Sequence, residues 1–369
     1  MIKNSQIDDF VEIRYAEKKR GLFKNIYLKK GKIVTVSKKN GGPINALVEF
    51  EDKEVEIIPR GNLFILKKLQ EKNMNEKEGE KLKNISILIL IHESYKWDVY
   101  RRVNLLRKLL EEKILFSEFI EKDDQFLIKE LGLFPFELEF VEKIRKYYGI
   151  KMEELSKMMR NRSMINILPI FSKRYPKLIR DCGDKNSIPL LFYVRGNVNI
   201  LNKECIGIVG SRDASNISLN FIEKIVKKVL NDNTTIVSGF SRGTDKKALD
   251  EVLKQGGTSI IIPAQGILTF IRNMNWSLTY EKYIKNGRLL ILNHFNPLHE
   301  WKTHYALNRN KIIYNISKEI YIPESGFSGG TWSGAKYGLS RNKKIHVRKA
   351  NDSENNGNNK LIENGCIGI

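Results

Sequence analysis

Cys205-Ile-Gly-Ile-Val-Gly-Ser-Arg212 is an apolar run that stops at a Gly-Ser-Arg turn, and Thr234-Thr-Ile-Val-Ser-Gly-Phe-Ser-Arg-Gly-Thr-Asp245 repeats the arrangement with a second glycine-rich turn. Each reads as a strand, a tight loop and then a helix. Outward from them, further strand-like runs at 258–263, 289–293 and 319–323 alternate with helix-like stretches at 220–231, 245–255, 276–285 and 331–340. Such alternation predicts a parallel α/β sheet covered by helices. In that architecture ligands bind beyond the carboxyl ends of the strands, where glycine-rich loops expose backbone N–H groups.

The loops are suited to an anion. Gly210 permits close approach of backbone, Ser211 offers a hydroxyl, and Arg212 carries a planar fork that can hold a phosphate at two points. Neither GxGxxG nor a Walker pattern is present, so classical NAD or ATP use has little support. Gly239-Phe-Ser241-Arg-Gly243 also satisfies the GxSxG nucleophile elbow, for which His294, His299, His304 or His346 would have to complete a triad. Cys182, Cys205 and Cys366 form no CxxC pair, so neither a disulfide framework nor a metal knuckle follows, and a reducing compartment fits.

In the 369-residue chain, 64 Lys+Arg against 43 Asp+Glu give a formal net charge of +21, and 41% hydrophobic residues suffice for a sizeable core. The basic charge is concentrated between Trp301 and Ala350, where ten basic residues face only Glu319 and Glu324. Gly326, Gly329, Gly330 and Gly334 interrupt the helical periodicity that a membrane-surface helix needs, so a polyanion is the better partner. With no apolar run of eighteen residues and no signal-peptide pattern, a cytoplasmic protein without a membrane partner is expected.

Two smaller parts precede the sheet. Strand-like segments at 25–28, 32–37, 46–50 and 54–58, divided at Gly31 and Asn40-Gly41-Gly42, predict a small Tudor- or KOW-like β-barrel over residues 1–70. Residues 71–84 are mostly charged and read as a linker. From 85 to 160, apolar residues at helical spacing (Val99, Val103, Leu106, Leu110; Phe136, Leu138, Val141, Ile144) predict a small helical module, leaving 161–369 for the α/β core.

Gly210-Ser-Arg212, Ser238-Gly-Phe-Ser-Arg-Gly-Thr-Asp245 and Arg309-Asn-Lys-Ile-Ile313 resemble, in order and spacing, the three signatures of the DprA (Smf) DNA-processing family. Phe171–Pro176, Ile188-Pro-Leu-Leu191 and Arg195-Gly196 resemble the lead-in to that family's core, and Gly357-Asn-Asn-Lys-Leu-Ile362 its closing segment. The resemblance implies single-stranded DNA held in a basic pocket of an extended Rossmann-like domain, a homodimer, handover to the RecA recombinase, and no cofactor or turnover. Carried onto this chain, the nucleic-acid-binding candidates are Gly210, Ser211, Arg212, Ser238, Gly239, Arg242, Gly243, Arg309, Asn310, Lys311, Ser328, Gly329, Gly330 and Thr331. For Asp245 and Asn310, helix capping and loop bracing are equally good readings.

The sequence departs from that family where Ser241 replaces its usual alanine, and the winged helix that closes many relatives does not follow residue 369. A different function from the same broad superfamily is a nucleotide sensor or phosphoribohydrolase, since Ser328-Gly-Gly-Thr331 resembles part of a hydrolase signature. No carboxylate lies between Thr331 and Ser340 to assist glycosidic cleavage. Phe240, Trp276, Tyr305, Phe327, Trp332 and Tyr337 are the aromatic side chains considered for base stacking.

Overall fold

The computed structural model describes the strands between residues 10 and 65, and residues 76–369 apart from 95, 161–164, 183–187 and 274–278. The chain divides into two compact units, Met1–Glu80 and Lys81–Ile369. In the first, β1 (Phe10–Lys19), β2 (Leu22–Val36), β3 (Asn45–Phe50), β4 (Val55–Pro59) and β5 (Leu63–Ile65) form one antiparallel sheet in the order β4-β3-β2-β1-β5. Among the described residues β4 and β5 are not paired with each other, so the expected closure into a barrel is not found. Gly31 does not divide two strands either. It sits inside β2, opposite both Val11 and Phe50, where pairing on both sides holds the chain extended.

The unit boundary falls inside helix α1 (Glu76–Glu93), and the second unit continues with α2 (Val99–Glu111), α3 (Phe116–Phe119), α4 (Asp124–Lys129) and α5 (Leu138–Arg160). Helix α1 starts inside the stretch read as a linker; its charged first turns lack apolar periodicity, and Leu82, Ile87, Leu88 and Ile91 farther along it enter the core. Leu88, Ile91, Leu105, Leu109, Val141 and Ile144 belong to the same buried cluster as Leu191, Tyr193, Leu289 and Ile291 of the sheet. The helical module is therefore packed onto the core as one body.

The sheet has nine strands: β6 (Asn166–Pro169), β7 (Leu191–Gly196), β8 (Glu204–Ile208), β9 (Thr234–Ser238), β10 (Thr258–Ile261), β11 (Leu289–Asn293), β12 (Glu319–Ile322), β13 (Lys344–Val347) and β14 (Ile367–Gly368). Their order is β14-β13-β12-β8-β9-β10-β11-β7-β6, parallel except for the pairings of β7 with β11 and with β6. Every residue of β9 and β11 is buried, the pattern of strands covered on both faces. The remaining helices are α6 (Lys177–Arg180), α7 (Asn216–Val229), α8 (Thr244–Lys254), α9 (Ile267–Asn273), α10 (Glu281–Lys285), α11 (Thr303–Ile316), α12 (Gly329–Leu339) and α13 (Asn358–Glu363).

Alternate residues of each strand point to opposite faces. Ile206, Ile208 and Ile236 pack with Ile222, Ile225 and Val226 of α7 and Ala248 and Val252 of α8. Cys205, Val237 and Ile320 pack on the other side with Ile312 and Ile313 of α11 and Ala335 of α12. In α7 the buried positions fall at i, i+3 and i+4, one stripe of a helix, and truncating one such isoleucine to alanine costs about 2–5 kcal/mol. From β8 the chain builds outward to β11 on one side and, after crossing back, from β12 to β14 on the other. The gap between β8 and β12 is thus a topological switch point, where loops diverge and leave a crevice.

Candidate nucleic-acid interface

The crevice is occupied by three loops. The first, after β8, contains Gly210, Ser211 and Arg212; the second, after β9, contains Gly239 to Gly243; the third, after β12, leads through Ser328 into α12. They line two adjoining cavities of about 550 and 440 Å³ that share Arg212, Ser241, Trp301 and Arg309. Gly239, Phe240, Arg242, Lys246, Pro263 and Phe270 line only the first cavity, whereas Gly210, Ser211, Asn310, Gly330 and Thr331 line only the second.

The first two loops are stitched together by backbone. Thr244 N donates to Ser211 O at 3.2 Å. A Cβ on Gly210 would come within 2.5 Å of Thr244 Oγ1, and one on Gly243, whose φ is +76°, within 2.4 Å of Arg212 O. Only glycine fits at these positions. Glu324, at the end of β12, completes the frame: its carbonyl accepts from Ser211 N at 2.9 Å. Its carboxylate accepts from Ser215 N (3.0 Å), Ser215 Oγ (2.6 Å) and Ser218 Oγ (2.8 Å) at the start of α7. In the sequence Glu324 was only one of two acids in a basic segment, with no signal of this role.

The three arginines converge on this crevice but differ in kind. Arg212 is exposed, its guanidinium stands 5.5 Å from the ring centroid of Trp301, and among the described residues it pairs with no carboxylate. Arg242 is exposed and ion-paired to the equally exposed Asp213. Arg309, only 3% exposed, forms the floor. It donates to Ser241 Oγ at 3.1 Å and lies 3.5 Å from Asp245 Oδ2, which also accepts from Ser241 N at 3.2 Å. Burial lowers the Arg309 pKa, and Asp245 opposes that shift. Arg309 thus braces the second loop from beneath instead of presenting a free cation. Lys246 adds positive charge at the rim; partial burial pulls its pKa down, but hydrogen bonds to Asp250 and Tyr280 outweigh this and keep it above the ordinary value.

Of the other candidates, Asn310, Ser328, Gly330 and Thr331 line the second cavity, whereas Ser238 and Lys311 lie outside the crevice. Ser238 is fully buried and donates its hydroxyl to Ile208 O at 2.7 Å, a cross-strand contact that removes it from any ligand. Lys311 stands beside Tyr337 and lines a separate cavity with His92, His294 and His304. Asn310 Nδ2 donates to Gly330 O at 3.2 Å, so it holds the third loop as a brace. Ser328, Gly329, Gly330 and Thr331 sit at the N-terminus of α12, with Gly330 and Thr331 lining the second cavity. That terminus attracts negative charge.

The GxSxG elbow finds no imidazole. Ser241 Oγ meets Arg309, His299 Nδ1 lies 3.0 Å from Tyr305 Oη, His346 pairs with Glu319, and His294 and His304 belong to the separate cavity. Among the described residues lining the crevice, Asp245 is the one carboxylate. Of the aromatics considered, Phe240 packs edge-on against Phe270 and Tyr280, Tyr305 against Phe295, and Trp332 and Tyr337 against the core. Phe327 is 58% exposed, and Trp276 lies outside the described residues. Trp301, 46% exposed at the junction of the two cavities, was absent from the sequence-based set.

Comparison with known proteins agrees with this architecture. The DNA processing protein DprA of Streptococcus pneumoniae is 27% identical over 188 residues, covering 51% of this chain and 63% of that protein, so the match spans under two thirds of the relative. The DprA of Bacillus subtilis is 25% identical over 208 residues, covering 56% of this chain and 68% of that protein. The X-ray structure of the S. pneumoniae DprA superposes with a TM-score of 0.59 at 16% identity over 78% of this chain and 94% of that one, a likeness of fold. The sequence profile of the DNA recombination-mediator protein A family matches residues 166–368, more than half of the chain, and encloses the crevice and all three signatures; the chain belongs to that family.

Proposed function

We propose that this chain binds single-stranded DNA in the crevice above β8, β9 and β12, acting in DNA processing and recombination as a binding protein and not by turnover. The observation that carries this reading is the guanidinium of Arg212, which among the described residues meets no carboxylate, set among glycine loops and beside an exposed indole. A cation without a carboxylate partner at a helix-rich strand end is matched by a phosphate, and phosphate contacts position a strand without reading its sequence. A duplex presents its bases stacked and hidden, whereas an unpaired strand can offer both phosphate and base to adjoining cationic and aromatic groups. Assembly as a homodimer and transfer of the strand to a RecA-type recombinase are parts of the proposal that rest on family membership.

The test is fluorescence anisotropy of the full chain with poly-dT and a mixed-sequence oligonucleotide over a salt series. Similar affinities for the two, and a log–log salt slope of about −0.7 per phosphate contact, are expected. Arg212→Ala should flatten the slope by roughly one contact on both oligonucleotides. Salt-independent binding, or unchanged affinity in the folded Arg212→Ala/Arg242→Ala variant, would remove the crevice from the DNA path.

A further inference from the structure

We infer that Trp301 is a base-stacking residue, and that the crevice is divided into a half for the base and a half for the phosphate with Trp301 at the boundary. This deepens the single-stranded DNA reading and rests on it. The division is visible in the side chains. The half bordered by Phe240, Pro263 and Phe270 is apolar at its wall and cationic at its rim. The half bordered by Gly210, Ser211, Gly330 and Thr331 is built from small polar residues and the N-terminus of an eleven-residue helix.

Trp301 lines both halves and is 46% exposed, although an indole normally contributes its large apolar surface to a core. Its local sequence does not bury it: Leu298 before it and Lys302 and Thr303 after it are exposed too. What holds the ring is Arg212, 5.5 Å from its centroid. A cation over an aromatic face is attracted by the ring quadrupole, by about 0.5–1 kcal/mol at an exposed site, which favours this arrangement of guanidinium and indole. The pair then presents a donor fork for the phosphate and a π-surface for the base, the two parts that a nucleotide carries together. Phe240, with a left-handed φ of +59° and its ring packed on Phe270 and Tyr280, gives the apolar half a fixed wall against which the base can rest.

The proposal is tested with the full chain, Trp301→Ala and Trp301→Phe, each checked for native fold by circular dichroism. The probes are a poly-dT oligonucleotide and an oligonucleotide of the same length made of abasic sites. Trp301→Ala should bind poly-dT about 5- to 150-fold more weakly, the range for loss of one stacked base, with an unchanged salt slope. Trp301→Phe should recover a large part of that loss. The abasic strand should bind wild type and Trp301→Ala alike. Equal poly-dT affinity in wild type and Trp301→Ala, or an equal loss on the abasic strand, would overturn the stacking role and leave the DNA reading standing. Absence of poly-dT binding by wild type would overturn both.

Discussion

The Nη1 atom of Arg309 lies 0.9 Å from the position that a Cβ on Gly239 would occupy, so the guanidinium fills the space where residue 239 lacks a side chain. A signature glycine and a signature arginine are therefore two halves of one fitted contact. Gly239→Ala should displace Arg309, separating it from Asp245 and Ser241, and lower unfolding stability by about 3 kcal/mol or more as a buried charge loses its partner. Arg309→Ala should cost a similar amount. Urea denaturation measures both, and a loss confined to DNA affinity with unchanged stability would contradict the bracing role.

Asp213 holds Arg242 at the rim of the crevice. Exposed pairs of this kind contribute about 0.2–1 kcal/mol, so releasing the arginine is easy. Asp213→Asn should free Arg242 for phosphate and remove a repelling charge, strengthening oligonucleotide binding by about two- to five-fold at low salt. Anisotropy titration is the readout, and weaker binding would show that Asp213 positions Arg242 productively.

Acid should destabilise the second unit before it affects the surface. Burial pushes the His92 pKa down to about 4, and its Nε2 lies 2.8 Å from His294 O; burial and His92 push His294 down to about 3. Both depressed values mean that the folded state rejects protons that the unfolded chain accepts near pH 6.5. Stability should be constant above that pH and fall as the pH drops from 6.5 toward 4, by about 3 kcal/mol for His92 alone. Urea midpoints between pH 7 and 4.5 would show the slope, and His92→Gln should reduce it.

Because α1, α2 and α5 share one buried cluster with β7 and β11, residues 161–369 should not fold without the helical module. A fragment from residue 76 onward, which keeps α1 whole, should give native circular dichroism and a monodisperse gel-filtration peak. A fragment starting at 161 would expose the faces of Leu191, Tyr193, Leu289 and Ile291 and is expected to aggregate. A folded 161–369 fragment would show the module to be an accessory.

The sequence was most legible where one physical signal dominated. The strands at 234–238 and 289–293 fall on the same residues in the structure because their aliphatic and β-branched runs have nothing to compete with. Helix α11 was missed: its buried aliphatic residues Ile312, Ile313 and Ile316 cluster at its C-terminal end, and its first two turns mix Tyr305, Ala306 and Leu307 with polar residues and bury only Arg309. Without the helix the direction of Lys311 could not be read: it lies two residues, roughly 200° of helical turn, from Arg309 and so faces away from it. The burial of Arg309 depended on Asp245, far off in the chain, and the exposure of Trp301 on a loop folding back to Arg212; local pattern carries neither. The convergence of the second and third loops on the first was legible, because strand-end glycine loops of a parallel sheet share one side by construction.

The interlocking of Gly210 with Thr244 and of Gly243 with the Arg212 carbonyl has a kinetic consequence. A seat whose first two loops are already joined, with Thr244 N donating to Ser211 O, needs no closure of those loops on the strand, so encounter should be limited by diffusion, long-range attraction and the wriggling of the strand itself. Capture should then be fast and sensitive to ionic strength, and differences among strands should be expressed in how long each one stays.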